Sequence, residues 1–181
     1  EAAERHGLTI GVHAGSTYRR PVTSSGWPTY HLEDYINQAQ GFQTQLASFI
    51  CEGVFKRFPG LQVAMIESGF TWMPACMWRL SKTWQGLRME IPWVDEPPME
   101  LVRRHVRFTL QPVDAPPDPA LVERFMDHMG SDRLLLFSTD YPHWHYEGDD
   151  VLPEGLSPDL VRKIQVENPL ATYPRLTETI Q

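Results

Sequence analysis

Three short apolar runs, each closing on a polar, chemistry-capable residue, constrain this chain more than anything else in it. Leu8-Thr9-Ile10-Gly11-Val12-His13, Leu61 to Ile66 followed by Glu67-Ser68-Gly69, and Leu134 to Ser138 followed by Thr139-Asp140 read as buried strands. A fourth, Val106 to Leu110, alternates as a strand does and leads to Gln111. Between them lie segments of helical character. Tyr30 to Phe58 places Phe42, Leu46, Phe49, Ile50 and Val54 on one face and stops at Pro59-Gly60. Phe70 to Met89 carries a broad apolar face that includes Trp72, Met73, Cys76, Met77, Leu80 and Trp84. Asp118 to Met129 has an N-cap candidate in Asp118, Pro119 at its first position and Gly130 as its stop. A last helix, capped by Ser157, spans about Pro158 to Val166. The Gly-, Ser-, Thr- and Pro-rich stretch Ala14 to Thr29 reads as a long loop, and Pro92, Pro97 and Pro98 as an irregular connection.

Fourfold alternation of strand and helix implies a parallel sheet flanked by helices. It fits an open sheet, and it fits half of an eight-stranded barrel; alternation alone does not choose. The 181 residues suffice for one domain with a core but are short for a whole barrel enzyme. Glu1 to Gly7 lacks an initiator Met and reads as the last turns of a helix closed by Gly7, so the expectation is a piece of a longer chain. A net charge of -7, with no basic stripe to offset it, argues against nucleic acid or an anionic membrane surface as partner. No apolar run is long enough for a membrane span, and no signal-peptide pattern opens the sequence. The two cysteines, Cys51 and Cys76, lack the spacing of a zinc knuckle or disulfide framework. They read as buried free thiols in a reducing, cytoplasmic setting.

In parallel α/β architectures the active site forms at the C-terminal ends of the strands. His13, Glu67 and Asp140 stand there, with Thr109 and Gln111 on the remaining strand. Each has a plain structural explanation: Asp140 as a turn or cap aspartate before Pro142, His13 as a satisfied core histidine, Glu67 as a cap for the following helix. Three such groups at equivalent positions make that explanation less comfortable. Imidazole with carboxylate suits zinc and other first-row divalent ions. One His and one Asp do not complete a site, and Glu67 is the third donor at that level.

Leu135-Leu136-Phe137-Ser138-Thr139-Asp140-Tyr141-Pro142-His143-Trp144 resembles the last-strand signature of the amidohydrolase-related branch of the amidohydrolase superfamily, which includes aminocarboxymuconate-semialdehyde decarboxylase and resorcylate-type decarboxylases. Gly11 to Gly15 resembles its fifth-strand histidine motif. Phe58 to Val63, Glu67 to Phe70 and Trp78-Arg79-Leu80 resemble its sixth strand and following helix. The resemblance implies that residues 1–181 form one partial domain, the C-terminal half of a (β/α)8 TIM barrel, strands five to eight with their helices. It also implies a mononuclear divalent metal, commonly zinc, with manganese as the alternative. His13 matches the metal-ligand histidine of strand five, and Asp140 the strand-eight aspartate that binds metal or acts as base. Glu67 stands where the decarboxylases carry a catalytic histidine, which puts a strict decarboxylase mechanism in doubt. His143 is a candidate substrate contact. The first-strand His-x-His pair has no counterpart, and the spacing of His143-Trp144-His145 is a coincidence beyond the last strand.

The expected function is therefore a metal-dependent hydrolase or decarboxylase acting on a small carboxylated or carbonyl-bearing molecule, with Asp140 and Glu67 as catalytic groups. The rival from another class is a non-catalytic half-barrel, a scaffold or interaction module with vestigial site residues. An unrelated open α/β binding protein would need glycine-rich phosphate loops, and none is present. The half-barrel reading further expects an open, apolar inner face covered by a missing N-terminal half or by a second copy.

Overall fold

The computed structural model describes residues 1–15, 21–22, 24–144, 146, 148 and 151–179. Part of the Ala14–Thr29 loop and His145 thus lie outside the described residues. A short helix α1 (Ala2–Arg5) leads into β1 (Ile10–His13), and α2 (His31–Cys51) and α3 (Val54–Arg57) connect it to β2 (Val63–Ile66). Then follow α4 (Met73–Leu87), α5 (Pro98–His105), β3 (Val106–Thr109), α6 (Pro119–Met129) and β4 (Leu135–Leu136). The C-terminal part runs through α7 (Pro158–Arg162), a π-helical stretch Lys163–Glu167, α8 (Asn168–Thr172) and α9 (Arg175–Thr179).

The four strands form one parallel sheet whose spatial order, β1-β2-β3-β4, follows the chain. Register pairs Ile10 with Val63, Val63 with Val106, and Phe108 with Leu135. Each crossover adds the next strand on the same side without reversal, so right-handed connections stack the crossover helices on one face. Strand alternation sends Val63, Met65, Phe108 and Leu135 to that face. There they join Leu46, Ile50, Phe70, Met73 and Met77 in one buried cluster. The Trp72 ring meets Phe108 edge-on at 5.6 Å.

The other face carries Gly11, Ala64, Arg107 and Thr109. The same alternation puts His13, Ile66 and Leu136 there as well, so the face mixes small, polar and apolar residues. Ala64, Arg107 and Thr109 are buried all the same. The C-terminal segment accounts for part of this closure. Ile164 O accepts from Phe137 N, Asn168 Nδ2 donates to Asp132 O and Leu135 O, and Thr9 Oγ1 donates to Thr172 O. The β1 side stays open, with Ile10 and Gly11 exposed.

Several element boundaries differ from those the sequence suggests. The long helix is interrupted at Gly53, whose φ of 68° places it in the left-handed region. The proline connection contains a two-turn helix, α5, because Pro98 sits at its first position, where no N–H is needed. The last helix does not stop at Val166; it passes through the π stretch into α8. Asp118 caps α6 through Ala120 N, Gly130 closes it at φ 64°, and Ser157 caps α7 through Leu160 N, all as read from the sequence. Cys51 and Cys76 are free thiols, half-buried rather than fully buried. No helix among the described residues is long and apolar enough to cross a membrane.

Candidate metal centre

Glu67 follows directly on β2, and Asp140 lies four residues past β4. Both have a φ of 57°, the only non-glycine residues with positive φ among those described. That conformation costs about 1–3 kcal/mol at a residue with a side chain, and it persists where surrounding contacts impose it. The contacts are visible. Glu67 N donates to Thr109 Oγ1 at 3.0 Å across the sheet, and His143 N donates back to Asp140 O at 2.9 Å. Ser138 Oγ in turn accepts from Gln111 N at 2.9 Å, tying the end of β3 to the strand that delivers Asp140.

The result is a chain of four groups at the C-terminal end of the sheet. His13 Nε2 lies 3.0 Å from Glu67 Oε1. Glu67 is hydrogen-bonded to Asp140 through their side chains. His143 Nδ1 lies 3.1 Å from Asp140 Oδ1 and 3.2 Å from Oδ2. Glu67, Asp140 and His143 offer ligand atoms that all lie within 4.8 Å of one another. His13 stands outside that compact trio and meets it through Glu67. The two carboxylates are nearly buried, with side-chain exposures of 12% for Glu67 and 7% for Asp140, while His13 and His143 are 54% and 56% exposed.

Electrostatics separate the two acids. Burial, then the hydrogen bond to Asp140 and the charge of Asp140, push the Glu67 carboxyl above the usual glutamate range; His13 and His143 pull it back. Like charges this close resist double ionisation, so Glu67 takes up a proton more readily than an ordinary glutamate. A folded-state pKa raised above the unfolded value means that the folded protein binds more protons in that window. Stability from this group is present at low pH and lost as pH rises from the ordinary glutamate range through the raised value. In chelator, Glu67→Gln is therefore expected to flatten the fall in Tm over that window. Parallel Tm-against-pH curves for the two proteins would contradict the assignment.

The donor set fits a divalent cation. Two buried carboxylates facing each other are relieved by positive charge between them, and carboxylate with imidazole suits zinc or manganese. His13 Nδ1 donates to Ala14 O at 2.6 Å, which leaves Nε2 as the nitrogen with a lone pair directed toward the carboxylates.

Tyr35, on α2, belongs to the surroundings of this centre. Burial, then the charges of Glu67 and Asp140, raise its phenol pKa. Its ring meets His31 at 5.8 Å and Trp144 at 6.0 Å, both edge-on. Nothing in the sequence singles Tyr35 out, since it reads as one more residue of a long helix. A cavity of about 330 Å³ adjoins His13, lined also by Gln38, Phe42 and Gln45.

The family model described as Amidohydrolase matches residues 1–175. A search of curated protein sequences found no match. Among solved structures, the chain is similar to an amidohydrolase from Mycobacterium avium subsp. paratuberculosis, with 23% identity and a TM-score of 0.73 over 95% of this chain and 43% of that one. It is also similar to 5-carboxyvanillate decarboxylase from Novosphingobium aromaticivorans, complexed with manganese and 4-hydroxy-3-methoxy-5-nitrobenzoic acid (18%, TM-score 0.70, 96% of this chain and 49% of that one). A third is 2,6-dihydroxybenzoate decarboxylase from Rhizobium (17%, TM-score 0.62, 96% and 53%). The chain thus spans about half the length of the solved structures it matches.

Proposed function

The chain belongs to the amidohydrolase family, and from that premise we propose that it supplies the catalytic centre of a metal-dependent hydrolase or decarboxylase acting on a small carboxylated or carbonyl-bearing molecule. The observation that carries the reading is the Glu67, Asp140 and His143 cluster at the C-terminal ends of parallel strands. Asp140 and His13 hold the metal, zinc or manganese, with Glu67 between them and His143 toward solvent as the substrate contact. A divalent ion held there supplies Lewis acidity toward a carbonyl or carboxylate oxygen.

The two carboxyl groups divide the proton work. Asp140 is the base that takes a proton from water in hydrolysis. Glu67, beside Asp140 and His13, is the second group placed to pass a proton to a leaving group or, in decarboxylation, to the carbon that loses carboxylate. Glu67 occupies the place of the decarboxylases' histidine, so a carboxyl group would take over its proton transfer.

In this reading β1 to β4 are strands five to eight of a (β/α)8 barrel, with residues 1–181 as its C-terminal half. Strand order without reversal and helices on one face support it. The open β1 edge is the place for an N-terminal half-barrel or a second copy. The free thiols suit a cytoplasmic setting.

Turnover of aromatic and aliphatic carboxylates and of amides, followed by carbon dioxide release and by appearance of new carboxylate, tests the function. Metal-dependent production of either is expected. A metal-loaded protein that produces neither, with no difference between the unchanged chain and Asp140→Asn, would leave the scaffold reading in its place.

A further inference from the structure

At the opposite end of the sheet from Glu67 and Asp140, a cavity of about 400 Å³ is lined by Arg107, Arg133, Lys163, Glu167, Asn168 and Ala171. Arg107 is at the start of β3 and only 9% exposed. A buried guanidinium is ordinarily matched to a carboxylate, because an uncompensated interior charge is costly. Here its Nη1 donates only to main-chain oxygens, Arg103 O at 3.1 Å and Val106 O at 2.7 Å. Among the described residues neither Arg107 nor Arg133 forms an ion pair. The acids nearby are engaged elsewhere: Glu167 with Arg162 at 3.3 Å, and Asp132 with Lys163. With Lys163 held by Asp132 and Glu167 by Arg162, Arg107 and Arg133 are left as a surplus of two guanidinium groups around a partly open cavity.

We propose that this cavity binds phosphate, free or as the head of a phosphate monoester, between the guanidinium groups of Arg107 and Arg133. A dianion matches the charge surplus, and tetrahedral oxygens accept from guanidinium forks in pairs. Lys163, paired with Asp132, lines the same cavity. Consistent with the vacancy of counter-charge, burial and then the charge of Arg133 lower the pKa of Arg107. The Arg107 and Arg133 charges repel across the cavity, and a bound dianion turns that repulsion into attraction.

Calorimetric titration of the full chain with inorganic phosphate, at fixed ionic strength in a chloride background, tests the proposal. One saturable site is expected. Arg133→Gln, at an exposed position, should weaken it about tenfold or more, the worth of a charged hydrogen bond. Arg107→Lys keeps a charge but not the fork, and its fold is checked by circular dichroism. Loosening in either variant supports the site. A parallel titration with glycerol phosphate separates the two sources: tighter binding than phosphate identifies a monoester head, and weaker binding identifies the free ion. No saturable binding of either compound, or affinity unchanged in both variants, would overturn the proposal.

Discussion

Asp140→Asn is expected to lower turnover by about 10²–10⁴-fold while leaving the melting temperature nearly unchanged. The amide keeps the shape of the side chain, and asparagine tolerates the left-handed backbone that Asp140 adopts at φ 57°. What it loses is charge. The carboxylate faces Glu67 on one side and His143 on the other, and it belongs to the compact donor group of the centre. Neutralising it removes a ligand and the base together. It also removes the main charge acting on Glu67, so the pKa of Glu67 should fall toward its ordinary range. Steady-state kinetics with a thermal melt check this, and near-normal turnover would return Asp140 to the role of a turn residue.

Phe108→Ala is expected to destabilise the fold by about 3–5 kcal/mol. Phe108 is fully buried, lies between β2 and β4 in the sheet and meets the edge of Trp72 at 5.6 Å. Its removal leaves a cavity between β3 and α4 that backbone hydrogen bonding on both sides keeps from collapsing. The strand also carries Thr109, whose hydroxyl holds the Glu67 backbone, so a loosened β3 reaches the centre. Denaturant unfolding checks this, and a loss under about 1 kcal/mol would mean that the site repacks freely.

Much of this architecture is legible in the residues themselves because buried strands are short apolar runs that must end somewhere. Leu61–Ile66 and Leu134–Ser138 leave no choice about where their polar neighbours emerge, and that brings Glu67 and Asp140 to one end of the sheet. The caps at Asp118 and Ser157 were equally readable, since a side-chain oxygen two or three residues before a free N–H is local chemistry. The rest depends on partners distant in sequence. Pro98 looks like a breaker until its helix is seen to start there. The carbonyl of Ile164 serves Phe137 N, a pairing that no local pattern announces. His143 carries a local signal, three residues past Asp140, that brings its ring to the carboxylate. Tyr35 carries none, because the docking of α2 alone puts its phenol near two acids more than thirty residues away. The burial of Arg107 has a related cause: it alternates correctly in a strand, but the C-terminal segment shares the cavity that it lines.

Metal content per chain is the most direct test of the central assignment. The full-length protein, purified without chelator, dialysed and analysed by inductively coupled plasma mass spectrometry, is expected to hold about one zinc or manganese ion per chain, the stoichiometry of a mononuclear site. The ion should be lost in Asp140→Asn. A chain that retains no divalent ion and takes up none on titration, or one whose Asp140→Asn variant binds the ion just as well, would contradict a metal centre held by His13 and Asp140 beside Glu67.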